Sequence, residues 1–199
     1  MRRVTLLTLL IAVTTASHAS ILVNGGFELP GNNVWADYHN GEVPGWHTGP
    51  NDVMEIGVGV VYGVTGFQGK NMIELDSNRN VVVSQDVNLT AGQYDLSFLY
   101  ARRGTNLGNR PNDTCDFDVL WNGGVVAAYT PTTSTMTLDH RSVTAVNGNN
   151  TLSFRAKGTS DSLGAIIDGA DLQAVPEPAS FVAIGLALMT GLRKRRKSR

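Results

Sequence analysis

One cysteine, Cys115, stands in 199 residues, so the chain cannot form an internal disulfide and its stability must come from a packed core or a bound metal. Charge is sparse too, at 17% Asp, Glu, Lys and Arg, and the formal net charge of −1 averages regions of opposite character. Residues 1–19 carry two basic groups and no acid, and residues 176–199 carry six basic groups and one acid, Glu177. That leaves 8 basic against 16 acidic residues in 20–175, a net −8, and a domain this acidic repels phosphate backbones. Nucleic acid is therefore not the expected partner. No apolar run reaches the roughly 20 residues of a full membrane-spanning helix. Helical periodicity is absent from the middle of the chain, as are H-E-x-x-H, G-x-S-x-G and any Cys/His pattern of metal-site or nucleophile spacing. With 42% hydrophobic residues the chain is not a disordered one, and its length suits one domain.

The ends are the most informative parts. Met1-Arg2-Arg3, the apolar run Val4 to Val13 and the small residues Ser17 and Ala19 make residues 1–19 a secretory signal peptide, with a mature start near Ser20. The Sec machinery and signal peptidase are its implied partners. At the other end Pro176-Glu177-Pro178 keeps the backbone extended. An apolar stretch, Phe181 to Leu192, and the basic cluster Arg193, Lys194, Arg195, Arg196 and Lys197 follow. Positive charge next to an apolar segment resists translocation, so this tail would be held in the membrane before processing. Residues 175–199 resemble the PEP-CTERM sorting signal of Gram-negative bacteria. The resemblance implies recognition by an exosortase, a short transmembrane helix, and delivery to the cell surface or the extracellular biofilm matrix.

Between the ends, apolar and polar residues alternate with period two. Tyr94, Leu96, Phe98 and Tyr100 form one apolar face, and Leu152, Phe154 and Ala156 another. Cys115, Phe117, Val119 and Trp121 form a third, which places the thiol toward the core as a buried, inert group. Further strands are expected over 21–28, 53–56, 71–75, 81–89, 124–130, 141–146 and 165–172, separated by turns such as Asn24-Gly25-Gly26 and Asn122-Gly123-Gly124. No helix is expected, and the polar stretches 31–41 and 104–113 read as surface loops. The fold class is all-β, a jelly-roll sandwich over residues 20–174. Leu22-Val23-Asn24-Gly25-Gly26-Phe27-Glu28, Val43-Pro44-Gly45-Trp46, Gly69-Lys70-Asn71-Met72-Ile73-Glu74-Leu75 and Val83-Ser84-Gln85-Asp86-Val87 together resemble family 642 of domains of unknown function. This family implies a galactose-binding-like fold and association with wall polysaccharide. Its plant members carry two such domains and paired cysteines, which this chain lacks.

Carbohydrate-binding jelly rolls also resemble this chain at its opening strand and at Ile167-Asp168-Gly169-Ala170-Asp171-Leu172. They imply a structural calcium held by the Glu28 and Asp168 carboxylates and the Gly26 carbonyl. Asn112, Asp113, Asp116 and Asp118 lack EF-hand spacing, and residues 66–71 lack that of a phosphate loop. Sugar binding requires an aromatic face and polar groups for hydroxyls. Trp35 and Tyr38, in a polar stretch, are the candidates for that face, whereas Trp46 is expected in the core. Arg102 and Arg103 can contact an acidic sugar or simply add surface charge. The expected function is non-catalytic binding of extracellular polysaccharide. The alternatives are a structural matrix or adhesion protein without a sugar site, and an exported glycosidase using a carboxylate pair drawn from Glu55, Glu74 and Asp76.

Overall fold

A computed structural model describes residues 20–105 and 114–176. The signal peptide at 1–19, the motif residues Glu177 and Pro178, the basic tail Arg193, Lys194, Arg195, Arg196 and Lys197, and the loop positions Asn112 and Asp113 lie outside the described residues. The described chain forms two antiparallel sheets. In chain order the strands are β1 Trp35–His39, β2 Val53–Val58, β3 Asn71–Glu74, β4 Val82–Leu89, β5 Gly92–Arg102, β6 Phe117–Trp121, β7 Gly124–Tyr129, β8 Thr137–Ala145, β9 Gly148–Ala156 and β10 Ala165–Ala174. One sheet has the order β1-β2-β3-β10-β5-β8, the other β4-β9-β6-β7. The all-β sandwich expected from the period-two pattern is the fold adopted.

Alternation fixes which face meets which. Met54 and Ile56 of β2, Ile73 of β3, Leu96 and Phe98 of β5 and Ile167 of β10 point inward against Val83, Phe117, Val119, Leu152 and Phe154 of the smaller sheet. Trp46 lies among them fully buried, its ring 4.9 Å from Phe27 and 6.1 Å from Phe154, and its indole N–H donates to the Asn24 carbonyl at 3.0 Å. Phe98 meets Phe154 edge-on at 5.3 Å. Cys115 is buried, and burial pushes its thiol pKa up.

Three local expectations are corrected. Residues 21–28 are turns, not a strand: Asn24 and Phe27 adopt positive φ, which breaks the ladder. The segment still docks along β10, Ile21 N–H donating to the Leu172 carbonyl and Ala170 N–H to the Gly25 carbonyl. The expected loop over 31–41 contains β1, an edge strand too polar for its sequence to announce. A four-residue helix, α1 Gly59–Tyr62, interrupts the region after β2 and ends on Gly63 in the left-handed conformation.

Gly25 lies so close to β10 that a Cβ there would stand 1.9 Å from the Ala170 carbonyl oxygen. Gly25→Ala is expected to cost about 2–3 kcal/mol by forcing the amino-terminal segment off β10. In a denaturant titration the midpoint should fall with an unchanged slope; an unaltered midpoint would show that the segment does not contribute to the fold.

Candidate functional site

The outward face of the six-stranded sheet carries the groups with chemical potential. Strand register aligns Asp37, Glu55, Glu74 and Ile166 in one row across β1, β2, β3 and β10, and Trp35, Gly57 and Met72 in the next. After β2 the chain turns through α1 and lays Tyr62 back over this face. Gly57 makes this possible, since a Cβ there would lie 2.6 Å from the Tyr62 hydroxyl.

Arg103 sits beneath solvent in this layer. Its guanidinium is 5.0 Å from the centre of the Tyr62 ring, and Nη1 stands 3.8 Å from Glu55 Oε1 and 3.6 Å from Glu74 Oε1. The surface cation expected at this position is thus a buried one, only 7% exposed, because the Tyr62 ring covers it and the Glu55 and Glu74 carboxyl groups lie beside it. Arg102 remains partly exposed, its backbone N–H bonded to Thr133.

Glu74 is fully buried and accepts the Gly164 N–H. Burial pushes its carboxyl up to about 8, the Glu55 charge adding to the shift and Arg103 opposing it. Burial also raises Glu55, with Arg103 the main opposing influence. At neutral pH the Glu74 carboxyl therefore retains its proton. Glu74 Oε2 and Arg103 Nε are buried without hydrogen-bond partners among the described residues, and the Tyr62 hydroxyl is directed at Glu55. Asp76 is used differently: its carboxylate accepts Ser160 Oγ and the N–H groups of Asp161 and Ser162, tying the 160–162 loop to the end of β3. A glycosidase needs its two carboxyls to face an open cleft. Glu55 and Glu74 instead lie under Tyr62 and Arg103, and grooves of about 350 and 170 Å³ are lined by residues elsewhere.

The aromatic pair separates. Trp35 lies on the outward face and is 54% exposed. Tyr38, three residues along the same strand, turns inward, packs against the core and donates from its hydroxyl to the Gly31 carbonyl at 3.4 Å. Strand alternation therefore prevents the two rings from sharing the surface expected of them. Asn33 and Lys70 are bonded to each other, and Phe67, at the edge of exposure, lies against Gly59.

Glu28 and Asp168 are brought to one loop. Glu28 Oε1 accepts the N–H groups of Lys70 and Asn71 at 2.6 and 3.1 Å, and Asp168 accepts those of Gln68 and Gly169 at 2.7 and 2.6 Å. Burial pushes Asp168 up to about 6; its N–H partners oppose the shift and the nearby Glu28 charge adds to it. The donors facing these carboxylates are N–H groups, which suit anions, whereas calcium requires six to eight oxygens. Among the described residues no group of three or more His, Cys, Asp or Glu could hold a metal ion. The Glu28, Asp168 and Gly26 set does not by itself make a calcium shell.

The sequence suggests Glu55 and Glu74 as a candidate carboxylate pair, but joins neither to Arg103 and gives Tyr62 no part in the cluster. The available signal was Gly57 in an apolar strand, a mark of close approach by another group.

Comparison with known proteins places these features. Residues 174–197 match the PEP-CTERM protein-sorting motif. Over 152 residues the chain is 34% identical to the multifunctional-autoprocessing repeats-in-toxin protein of Vibrio cholerae serotype O1, a match covering 75% of this chain and 3% of the toxin. The Vibrio vulnificus counterpart is 33% identical over the same length and share. The chain thus spans about 3% of the length of these curated relatives. Among solved structures, the Stig cyclase Fisc from Fischerella sp. TAU superposes with a TM-score of 0.56 at 17% identity, over 79% of this chain and 98% of that one. CBM35 from Paenibacillus barcinonensis superposes with a TM-score of 0.43 at 19% identity, over 72% and 100%. The Fisc similarity is one of fold.

Two predictions follow the geometry of the carboxylates. Glu74 is raised from an ordinary value of 4.5 to about 8, so its contribution to stability is complete below pH 4.5 and is lost as pH rises toward 8. Glu74→Gln, which mimics the protonated acid, should flatten this decline and be more stable than the parent at pH 8 by on the order of 3 kcal/mol. Parallel stability curves from pH 5 to 8 would show that Glu74 titrates normally. For Glu28, the N–H cradle predicts that Glu28→Ala lowers the melting temperature equally with calcium and with chelator. A calcium-dependent shift that the substitution abolishes would assign an ion to this loop.

Proposed function

We propose that this chain is a non-catalytic module that binds polysaccharide at the cell surface or in the extracellular matrix. The PEP-CTERM motif marks an exported protein, processed by an exosortase and sorted to the surface or the extracellular space. The single observation that carries the binding reading is Trp35, a large apolar ring left 54% exposed on an edge strand. A ring so placed offers a stacking face to a sugar, and Asp37, two residues along the same face of β1, supplies a polar group beside it. Recurrence of the domain as a small part of a much larger toxin chain supports a self-contained module. The burial of Glu55 and Glu74 favours binding over hydrolysis.

A polysaccharide pull-down and glycan array with the purified protein test the reading. Trp35→Ala should reduce retention at least tenfold while moving the melting temperature little, because the ring is half in solvent. Tyr38→Ala should lower stability without a selective loss of sugar. Retention unaffected by Trp35→Ala would remove this face as the site, and absence of any glycan affinity would favour a structural matrix protein.

A further inference from the structure

The sandwich has a charged end and an uncharged end, and the sorting tail leaves from the uncharged one. Leu89 faces Gly148 and Gly92 faces Ala145, which places the β4–β5 and β8–β9 turns side by side. Ala91 N–H donates to Asn147 Oδ1 at 2.8 Å and joins them. Ala174 pairs with Tyr94, and Val175 N–H donates to the Gln93 carbonyl at 3.0 Å, so the first residues of the sorting motif are still part of the sheet. Thr90, Ala91, Val146, Asn147, Val175 and Pro176 are all exposed here, and none is charged. The nearest acids back from the two turns, Asp86 and Asp95, lie three residues along β4 and β5, roughly 10 Å away. At the opposite end Asp52, Arg79, Asp116, Lys157 and Asp161 crowd the loops. In a domain of net −8 this division is not the product of a general lack of charge.

The chain beyond this end is short. Only residues 177–180 separate Pro176 from the apolar run that starts at Phe181, and four residues reach about 14 Å at most. Ile21, bonded to Leu172, brings the signal-peptide junction to the same end. While the tail is in the membrane, the domain cannot stand far from the lipid surface, and beyond Glu177, the one acid of the linker, acids of the domain held against acidic headgroups would repel it. At physiological salt the screening length is about 8 Å, so acids set back roughly 10 Å are largely screened.

We propose that the uncharged end, formed by the β4–β5 and β8–β9 turns and the Val175–Pro176 exit, is a lipid-facing surface that seats the unsorted precursor on acidic headgroups and turns the charged end outward. This rests on reading the sorting tail as membrane-inserted.

The test uses residues 20–199 reconstituted in vesicles rich in phosphatidylglycerol and carrying nitroxide-labelled headgroups. Fluorophores are attached at Thr90→Cys or Asn147→Cys, and at Asn78→Cys or Thr159→Cys on the far end; the native thiol of Cys115 is buried and stays unlabelled. Labels at 90 and 147 should be quenched several-fold more than those at 78 and 159. Adding Asn147→Glu to the Thr90→Cys protein should weaken that contrast in these vesicles and leave it intact in neutral ones. Equal quenching at all four positions overturns the proposal while leaving the tail reading in place. Failure of the chain to float with vesicles removes both. Shielding of positions 90 and 147 only in membranes from exporting cells, and not in pure lipid, would also overturn it and assign the end to a protein partner.

Discussion

The larger sheet depends on its last strand. β3 and β5 have no direct pairing; each is bonded to β10, which enters between them after more than sixty intervening residues. Until residues 165–174 are in place, the β1-β2-β3 and β5-β8 halves have only the smaller sheet and the loops to hold them. The cost of bringing such distant segments together must be met before the contacts reward it, so closure of this sandwich is a late and non-local event. The amino-terminal segment depends on the same strand, because the Leu172 carbonyl and the Ala170 N–H are its anchors. The sorting motif begins at residue 174, the last of β10, so the strand that completes the domain also fixes where the tail emerges.

Buried carboxylates reinforce this closure by collecting loop N–H groups. Asp76 holds residues 160–162 just before β10, Glu74 holds Gly164, and Asp168 within β10 holds Gln68. A carboxylate satisfied by backbone donors is among the stronger hydrogen-bond arrangements available to a protein, and it orders segments with few apolar side chains of their own. Glu74 differs because Glu55 stands directly across the strand pair. Two like charges in one desolvated layer cannot both be ionised cheaply, and Arg103 supplies only one compensating charge. Retention of the Glu74 proton follows first from its burial, with the Glu55 charge adding to it.

The sequence pattern revealed most of the strands because one face of each is buried, and burial of a single face imposes period two on Tyr94–Tyr100 and Leu152–Ala156. β1 escaped notice for the same reason in reverse: Trp35, Asp37 and His39 face outward on an edge, and only Ala36 and Tyr38 face in. The site was legible as residue types and not as a constellation. Glu55 and Glu74 are neighbours through the β2–β3 register, and Arg103 joins them through β10 and β5, relations that cross up to 48 positions of sequence. The polar composition of 31–41 suggests a loop, and a loop has no alternation to separate Trp35 from Tyr38, so the side on which each presents its ring is set only by β1.

The face that carries Trp35 and the end that carries the tail are different surfaces of the sandwich, and this separation has a functional consequence. Trp35 lies opposite Gly57, on the broad side of the six-stranded sheet, whereas Pro176 leaves from the turns at one end of both sheets. A membrane or sorting enzyme engaged at the end therefore leaves the broad side open. The rows Asp37–Glu55–Glu74 and Trp35–Gly57–Met72 contain no residue of the tail. The fold thus places the exposed Trp35 ring and the exit of the sorting motif on separate surfaces, joined through the β1-β2-β3-β10 order of one sheet.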